Sequence, residues 1–339
     1  MLFKKQKFAT GCIPDPLDLR DKQYDEIALM APQVDWEKGY DIEKELNITI
    51  PFKNQDGSSS CVGQGWAYYI GVLNTVETGI YDEVSAKAFY SQIAFPGGGA
   101  YIRDGAKLAV NWGAISELAL SSYENSKPPS EEFMKDLSWK NESVDRVARI
   151  LQAKEYRTIT ACDSMDLFAA AIRDNHGVVG GLYGDNNKDW NTNEPKPPIK
   201  VEWAHCLFYG KFGMDRLGRF IASPNSWNER MRDELHPDGW QKLREDYFNK
   251  GFQFNPWTLL DKPNFEMSIE TKKIMNTNEK KIIMEGEGVG RKGIIINNKL
   301  REITNERQAA ACLYTLTNNG FGVTVSSQTF NEMEKDKPF

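Results

Sequence analysis

The most constraining feature of this sequence is a polar loop that runs directly into a long apolar segment, with a cysteine at the junction. Residues 53–60 are polar, whereas residues 63–78 carry large apolar side chains at helical spacing. Cys61 therefore lies at the start of a predicted helix. Gly63 and Gly65 weaken the first turn of this helix by about 1 kcal/mol each relative to alanine. Their position favours a close approach of some other group there.

The composition is that of an ordinary globular protein. Hydrophobic residues make up 40% and charged residues 27% of the 339 residues. The net charge of −6, without a basic run, argues against nucleic acid as a partner. No apolar stretch reaches the ~20 residues that span a bilayer, so we expect no membrane span. No apolar region follows the basic first residues, so no secretory signal is evident, and we expect a cytoplasmic or virion-associated protein.

The cysteines indicate neither a disulfide framework nor a zinc site, because they are odd in number, widely spaced and without a CxxC pair. We expect no metal and no cofactor. Most of them are interpreted as buried apolar thiols. Cys61 differs from the other four because it lies at the start of a predicted helix. A helix N-terminus lowers the pKa of a thiol, and so does a nearby cationic group. The five cysteines are Cys12, Cys61, Cys162, Cys206 and Cys312.

The basic partner of Cys61 is sought among only three histidines. His176 ends the helix predicted over residues 163–175, where its role as a cap explains it. His236 precedes a proline and is predicted to lie in an exposed loop. His205 begins an apolar strand. It is either a hydrogen-bonded core residue or a functional base, and a functional base needs an orienting partner for its second ring nitrogen.

Asn225 is a candidate for that orienting partner. It follows a strand predicted over residues 220–223, which we expect to form a hairpin with the strand over 204–210 that carries His205. The amide oxygen of Asn225 can accept a histidine N–H. Trp227 follows closely enough in the chain to shield that bond from water.

Gln55 precedes Cys61 in the polar loop. As an isolated residue it is a solvated glutamine. With the backbone N–H of Cys61 at the helix start, its side-chain amide could instead stabilise an oxyanion. The sequence leaves both interpretations open.

Taken together and in chain order, Gln55, Cys61, His205 and Asn225 resemble the papain-like cysteine peptidase family. Ala100-Tyr101-Ile102-Arg103-Asp104-Gly105 and Gly177-Val178-Val179-Gly180 are similar to further stretches of that family, and residues 14–21 resemble the N-terminal arm of its bacterial and phage members. The resemblance covers about residues 12–250.

The resemblance implies an α+β, two-lobed papain-like fold, in which a helical lobe and a β-barrel lobe enclose a cleft. It implies that Cys61 is the nucleophile, His205 the general base and acid, and Asn225 the residue that orients the histidine. Gln55 would donate to the oxyanion. The implied substrate-binding residues are Gly98, Gly99 and Trp227.

The sequence departs from the family pattern near both ends of the proposed site. Val62, a small residue, follows the nucleophile, and Asn228 stands where a glycine is usual. The disulfide cysteines of secreted members are missing, and the segment before the Gln55 loop is too short for the usual inhibitory prosegment. These departures concern specificity and activation more than the chemistry.

The character of the chain changes near residue 265, so we predict a peptidase domain over residues 1–264 and a small module over 265–339. The module is predicted to contain a hairpin of residues 281–284 and 293–296 and two helices, over 305–317 and 327–334. It is nearly neutral, which favours docking to a protein partner or self-assembly over nucleic-acid binding.

The leading hypothesis is a cysteine peptidase that hydrolyses peptide bonds in a protein or peptide substrate through an acyl-enzyme. One alternative is a structural or binding protein on a papain-like scaffold with reduced or lost activity, such as a virion component. Another keeps the cysteine chemistry but acts as an amidase or transpeptidase.

Overall fold

The computed structural model describes residues 11–28, 33–124, 127–228 and 232–260, together with four later strands. Helices and antiparallel sheets both occur, so the predicted α+β class is confirmed. The helices are α1 Asp25–Ala28, α2 Ile42–Leu46, α3 Cys61–Thr78, α4 Ala86–Ile93, α5 Ile102–Asn111, α6 Glu131–Lys135, α7 Glu142–Ala148, α8 Met165–Asn175 and α9 Glu245–Asn249. The strands are β1 Cys12–Ile13, β2 Tyr40–Asp41, β3 Ala100–Tyr101, β4 Glu155–Thr158, β5 Val178–Gly184, β6 Trp203–Tyr209, β7 Lys211–Asp215, β8 Gly218–Ser223, β9 Gln241–Arg244, β10 Gln253–Leu260, β11 Ile282–Glu285, β12 Lys292–Ile296, β13 Lys299–Ile303 and β14 Gly322–Val325.

Helix α3 lies at the centre of the structure. Every residue from Cys61 to Thr75 is buried, which is the environment that a helix apolar on all sides requires. Helices α4 and α5 pack against one side of it and strand β6 against the other. The helix ends at Gly79, whose φ of 73° is the left-handed conformation that glycine adopts most easily.

The two glycines of the first turn are contact points, as the sequence predicted. A Cβ on Gly63 would lie 2.7 Å from the carbonyl oxygen of Ala86, at the start of helix α4. A Cβ on Gly65 would lie 3.2 Å from Cγ1 of Val179 and 3.4 Å from Sγ of Cys206. The absence of side chains therefore lets this end of α3 approach both the next helix and strand β6.

The predicted pairing of the strand over 204–210 with the strand over 220–223 is wrong. Strand β6 pairs with β5, from Val178 opposite Tyr209 to Gly184 opposite Trp203. Strand β8 forms its hairpin with β7. Strand β7 lies between β6 and β8 in the chain, and it takes the place in the hairpin that was predicted for the strand over 204–210.

Two open four-stranded sheets result, in the orders β4-β10-β5-β6 and β2-β7-β8-β9. The strands in the described part of the chain do not close into the β-barrel that the resemblance implied. The site depends on the first sheet, because its edge strand β6 makes the most extensive contact with α3.

The N-terminal segment crosses the molecule and is anchored to it. Strand β1 pairs in parallel with β3. Just after it, the carboxylate of Asp15 accepts the backbone N–H of Arg103 at 3.1 Å and the indole N–H of Trp257 at 2.8 Å. The Asp15 N–H in turn donates to Oδ1 of Asn255 at 2.9 Å. We call Gly11, Cys12 and Ile13 the N-terminal strap.

The strands beyond residue 280 form a sheet of their own, in the order β13-β12-β11-β14. Strands β11 and β12 pair antiparallel, with Ile282 opposite Ile294, as the predicted hairpin requires. The helices predicted over 305–317 and 327–334 lie outside the described residues. The domain boundary near residue 265 and the docking role of the module remain predictions. None of the described helices is long and apolar enough to cross a membrane.

We predict that Gly105→Ala destabilises the fold by about 1–3 kcal/mol, the usual cost of overpacking a core. A Cβ at this position would lie 2.1 Å from Cδ1 of the buried Trp66. The matched control is Gly97→Ala, because a Cβ on Gly97 would meet no atom within 4 Å. Denaturant unfolding measures the difference, and equal free energies of unfolding for the two variants would contradict the packing described here.

We also predict a pH dependence of stability that arises from Asp15. Burial raises the pKa of this carboxyl to about 6, although its hydrogen bonds from Trp257 and Arg103 oppose the rise. Between about pH 4 and pH 6 the folded state therefore holds a proton that the unfolded state has released. The free energy of unfolding contributed by this group falls as the pH rises through that window, by at most about 3 kcal/mol.

The comparison of the wild type with Asp15→Asn tests this prediction. The asparagine has no proton to lose, so the difference in unfolding free energy between the two proteins should change between pH 4 and pH 6. A difference that stays constant over this window would show that Asp15 titrates as an ordinary exposed carboxyl.

Candidate active site

Cys61 is the first residue of helix α3 and is fully buried. Burial raises the pKa of its thiol well above the usual range, and the neighbouring Cys206 thiol adds to the rise. The backbone N–H groups of Cys206, Gly11 and Val62 approach the sulfur and oppose the rise, because they favour a thiolate. Burial in this conformation therefore favours the neutral thiol, which is a weaker nucleophile than the thiolate.

His205 and Asn225 form a buried pair. Nε2 of His205 lies 2.9 Å from Oδ1 of Asn225, and both side chains are buried. Oδ1 also accepts the backbone N–H of Ser226 at 2.6 Å, which identifies this atom as the amide oxygen. Nε2 therefore carries the donated proton, and Nδ1 is the basic nitrogen of the neutral ring.

Strand β6 carries His205, and the residue after it, Cys206, directs its N–H at the Cys61 sulfur. The structure thus brings the histidine strand and the cysteine helix into contact. Asn225 follows β8 with a φ of 56°, a left-handed conformation that asparagine tolerates better than most residues. The ring of Trp227 stacks on the His205 ring at a centroid distance of 4.1 Å and an angle of 19°. This stacking excludes water from one face of the imidazole, as expected.

Gln241 is a part of this arrangement that the sequence did not predict. Its Oε1 accepts Nδ2 of Asn225 at 2.6 Å, and its Nε2 donates to the carbonyl oxygens of Trp190 and Thr192 at 3.3 and 2.6 Å. The two carbonyls fix the orientation of the Gln241 amide. That amide in turn fixes the orientation in which the Asn225 oxygen faces His205. Gln241 is the first residue of strand β9, and no local pattern in the sequence marked it.

Gln55 is buried rather than solvated. Its backbone N–H donates to the carbonyl oxygen of Ser226 at 2.8 Å, and its Oε1 accepts the Ser226 hydroxyl at 2.5 Å. Its Nε2 donates to the carbonyl oxygen of Ser58 at 3.2 Å. The loop before Cys61 is therefore joined to the segment that holds Asn225, and the Gln55 amide is held rigidly near the start of α3.

The other two histidines have structural roles. His176 caps helix α8 with a φ of 65°, as predicted, and its Nδ1 lies 2.9 Å from the Tyr40 hydroxyl. The prediction that His236 is exposed is wrong. It is buried, because Asp233 and Glu194 hold its two ring nitrogens at 2.8 and 3.0 Å. Glu194 is distant in sequence, so the local pattern could not indicate this burial.

Gly98 and Gly99 have φ values of 90° and 80°, in the left-handed region that favours glycine. The N-terminal strap lies against this loop. The Gly11 carbonyl accepts the N–H of Ala100 at 2.8 Å, and a Cβ on Gly99 would lie 2.7 Å from that carbonyl oxygen. The predicted substrate-binding loop thus contacts a segment of the chain itself.

The strap also closes over the cysteine. The Gly11 N–H approaches the Cys61 sulfur, and a Cβ on Gly11 would lie only 1.8 Å from the carbonyl oxygen of Ser59. Only glycine fits at this point. The strap therefore lies over the Cys61 thiol.

No group of histidine, cysteine, aspartate and glutamate side chains suited to a metal ion occurs within the described ranges. The candidate site is built from the side chains and backbone groups described above. It offers a thiol at a helix start, a histidine with an oriented ring, and amide donors beside both.

Comparison with known proteins identifies the fold. No protein-family model and no curated protein sequence matches the chain. Among solved structures, xylellain, a cysteine protease from Xylella fastidiosa, superimposes with a TM-score of 0.57 at 19% identity, over 78% of this chain and all of its own. Procathepsin B S9 from Trypanosoma congolense gives a TM-score of 0.54 at 11% identity, over 76% of this chain and 87% of its own.

The Amb a 11 cysteine protease of ragweed pollen, in its proform, gives a TM-score of 0.52 at 12% identity. That match covers 77% of this chain and 80% of the other. At these identities the likeness concerns the fold and not the activity. The resemblance detected in the sequence is confirmed at that level, and the chain adopts the fold of the papain-like cysteine proteases.

Proposed function

We propose that this protein is a cysteine peptidase that hydrolyses peptide bonds through an acyl-enzyme on Cys61. The observation that carries the proposal is the buried His205–Asn225 pair, with 2.9 Å between Nε2 and Oδ1. Its strand contacts the helix that begins at Cys61. Nothing in packing alone requires a histidine oriented by a buried amide on the strand that lies against a cysteine at a helix start.

Each side chain then has a role that its contacts support. His205 takes the thiol proton through Nδ1 and later gives it to the leaving amine, while Asn225 holds the ring in the required tautomer. The thiolate attacks the substrate carbonyl to form a tetrahedral intermediate. The Cys61 N–H and the Gln55 amide stabilise the resulting oxyanion, and water then hydrolyses the thioester.

The substrate backbone is proposed to pair with the loop of Gly98 and Gly99. The strap supports this, because an extended segment already hydrogen-bonds at Ala100 beside this loop. Trp227 is proposed to form part of the same cleft. Its established contact is with the His205 ring, so its main effect there is on the histidine.

The alternatives differ in what they predict for Cys61. A scaffold protein without activity has no need of a reactive thiol, whereas an amidase or transpeptidase keeps the thiol and changes the substrate or the acceptor. The self-assembly or docking role of residues 265–339 is independent of all three possibilities.

A peptidyl epoxide probe should label Cys61 in the reduced, folded protein, and Cys61→Ala should abolish the labelling. The strap covers the thiol, and a Cβ at position 11 cannot fit against Ser59. The Gly11→Ala variant should therefore displace the strap, and its Cys61 should be labelled faster than that of the wild type. In the Gly11→Ala background, His205→Ala should slow labelling by about 10²–10⁴-fold, the usual contribution of a general base. Mass spectrometry of the labelled peptides measures each rate.

Cys162→Ala is the matched control, because Cys162 is a partly buried free thiol outside the site. It should label like the wild type. Equal labelling of Cys61→Ala and the wild type, or no labelling of folded Gly11→Ala, would contradict the peptidase proposal. The protein would then be interpreted as a structural or binding protein on a papain-like scaffold. Cleavage of cell-wall fragments with no cleavage of a peptide library would favour the amidase.

Gln241→Leu should lower kcat by about 10–100-fold and leave KM nearly unchanged, because it releases the Asn225 amide that orients His205. Gln241 is a positioning residue, so it should add little loss of activity in an Asn225→Ala background. Full additivity of the two losses would show that Gln241 acts only through general stability.

Gln253→Leu is the matched control. Gln253 is also a buried glutamine, and its Oε1 accepts the Tyr209 hydroxyl at 2.9 Å, away from the histidine. We expect it to lower the free energy of unfolding without changing kcat.

A further inference from the structure

Three thiols from distant parts of the chain meet in one buried cluster. Cys12, Cys61 and Cys206 all belong to the hydrophobic core around helix α3, and all three are free. The proposed peptidase chemistry uses only Cys61. Two further nucleophilic groups beside the reactive thiol therefore have no assigned role.

Cys12 and Cys206 lie near each other in this core. Strand β1 lies against strand β6, and the two thiols are close enough for Cys206 to raise the pKa of the Cys12 thiol. The Cys206 side chain points toward the first turn of α3, because its sulfur lies 3.4 Å from the Cβ position of Gly65. Cys12 is held in register opposite Ala100 of strand β3. Cys12 and Cys206 are thus held near each other by two strands, each of which is paired with a different strand, β1 with β3 and β6 with β5.

We propose that Cys12 and Cys206 form a regulatory disulfide site, which holds the N-terminal strap over Cys61 when it is oxidised and lets the strap leave when it is reduced. The consequence for activity rests on the proposed peptidase function, whereas formation of the disulfide does not. The oxidant belongs to the class of small disulfides, such as glutathione disulfide.

The exchange is balanced in two steps. The Cys12 thiolate attacks one sulfur of the small disulfide, which forms a mixed disulfide and releases one thiolate. The Cys206 thiolate then attacks the Cys12 sulfur, which forms the Cys12–Cys206 bond and releases the second thiolate. The two protons lost by the protein thiols end on the two small thiols, and a dithiol reverses both steps.

The order of the steps follows from burial. Cys12 is 7% exposed and Cys206 only 1%, and Cys12 lies in a two-residue strand, whereas Cys206 lies within a strand of the four-stranded sheet. Burial raises the pKa of Cys12 well above its usual range in the closed strap. Cys12 is therefore the sulfur that an oxidant reaches first, and opening of the strap removes the burial that disfavours its thiolate.

The position of the strap's anchor limits how far the strap can move. Asp15, three positions after Cys12, remains bonded to Arg103 and Trp257. Opening therefore displaces Gly11 to Ile13 from the cleft without unfolding the rest of the arm. A disulfide at Cys12 therefore holds this short segment in place directly beside Cys61.

The test uses the full chain carrying Cys61→Ala, so that the nucleophile cannot compete for the oxidant. Glutathione disulfide should produce a peptide pair joined through Cys12 and Cys206 in a non-reduced digest. Hydrogen exchange of the Ala100 N–H, which the Gly11 carbonyl protects, should slow by roughly a hundredfold, the scale on which a disulfide suppresses an open state. A dithiol should reverse both changes.

In the protein that retains Cys61, oxidation should slow probe labelling by about tenfold or more, while Cys162→Ser behaves identically and Cys12→Ser shows no joined peptide. Glutathione left on Cys12 without a joined peptide, or a joined peptide with unchanged exchange at Ala100, overturns the proposal. If Cys61 labels in no state while the joined peptide forms, the peptidase function fails and the disulfide site stands.

Discussion

The close approach of helix α3 to strand β6 is the contact on which the candidate site depends. Gly65 permits it, because a side chain there would meet Val179 and Cys206. The approach brings the helix end that carries Cys61 to the strand that carries His205. A buried helix that packs on every side cannot shift without disturbing several neighbours, so the relative position of the two residues is set by the core rather than by surface loops.

A second constraint is the completeness of the polar network behind His205. Asn225 is buried, and both sides of its amide are bonded, to His205 and Ser226 through oxygen and to Gln241 through nitrogen. A buried amide left without partners costs more free energy than its hydrogen bonds contribute. The network therefore has one satisfied arrangement, and that arrangement presents the basic nitrogen of His205 on the side away from Asn225.

The strap changes how the site is understood. A papain-like arrangement suggests a reactive thiolate, yet the closed strap buries Cys61 and raises its pKa. The same segment hydrogen-bonds at Ala100, beside the loop that is proposed to bind substrate. The contact with the proposed substrate-binding loop and the burial of the thiol both involve one short piece of chain, and Gly11 permits both because no side chain fits there.

The sequence by itself determined the elements whose signals are local. The aromatic periodicity after Cys61 predicted helix α3, and Ser164 caps helix α8 as a side-chain acceptor near the predicted start. The order of Gln55, Cys61, His205 and Asn225 along the chain predicted the fold, because it is the order that the resemblance to the papain-like family rests on. These predictions hold because helical spacing, caps and chain order are readable without knowledge of distant contacts.

Only the tertiary structure decided which strands pair, which polar groups are buried and what covers the thiol. Strand β6 pairs with β5 and not with β8. His236 is buried against Glu194, which is distant in the sequence. Gln241 accepts a hydrogen bond from Asn225, and no local pattern in the sequence indicates this contact. Cys12 and Cys206 meet although almost the whole domain separates them in sequence. In each case the partner comes from another element, and burial of that element, not the local pattern, determines the contact.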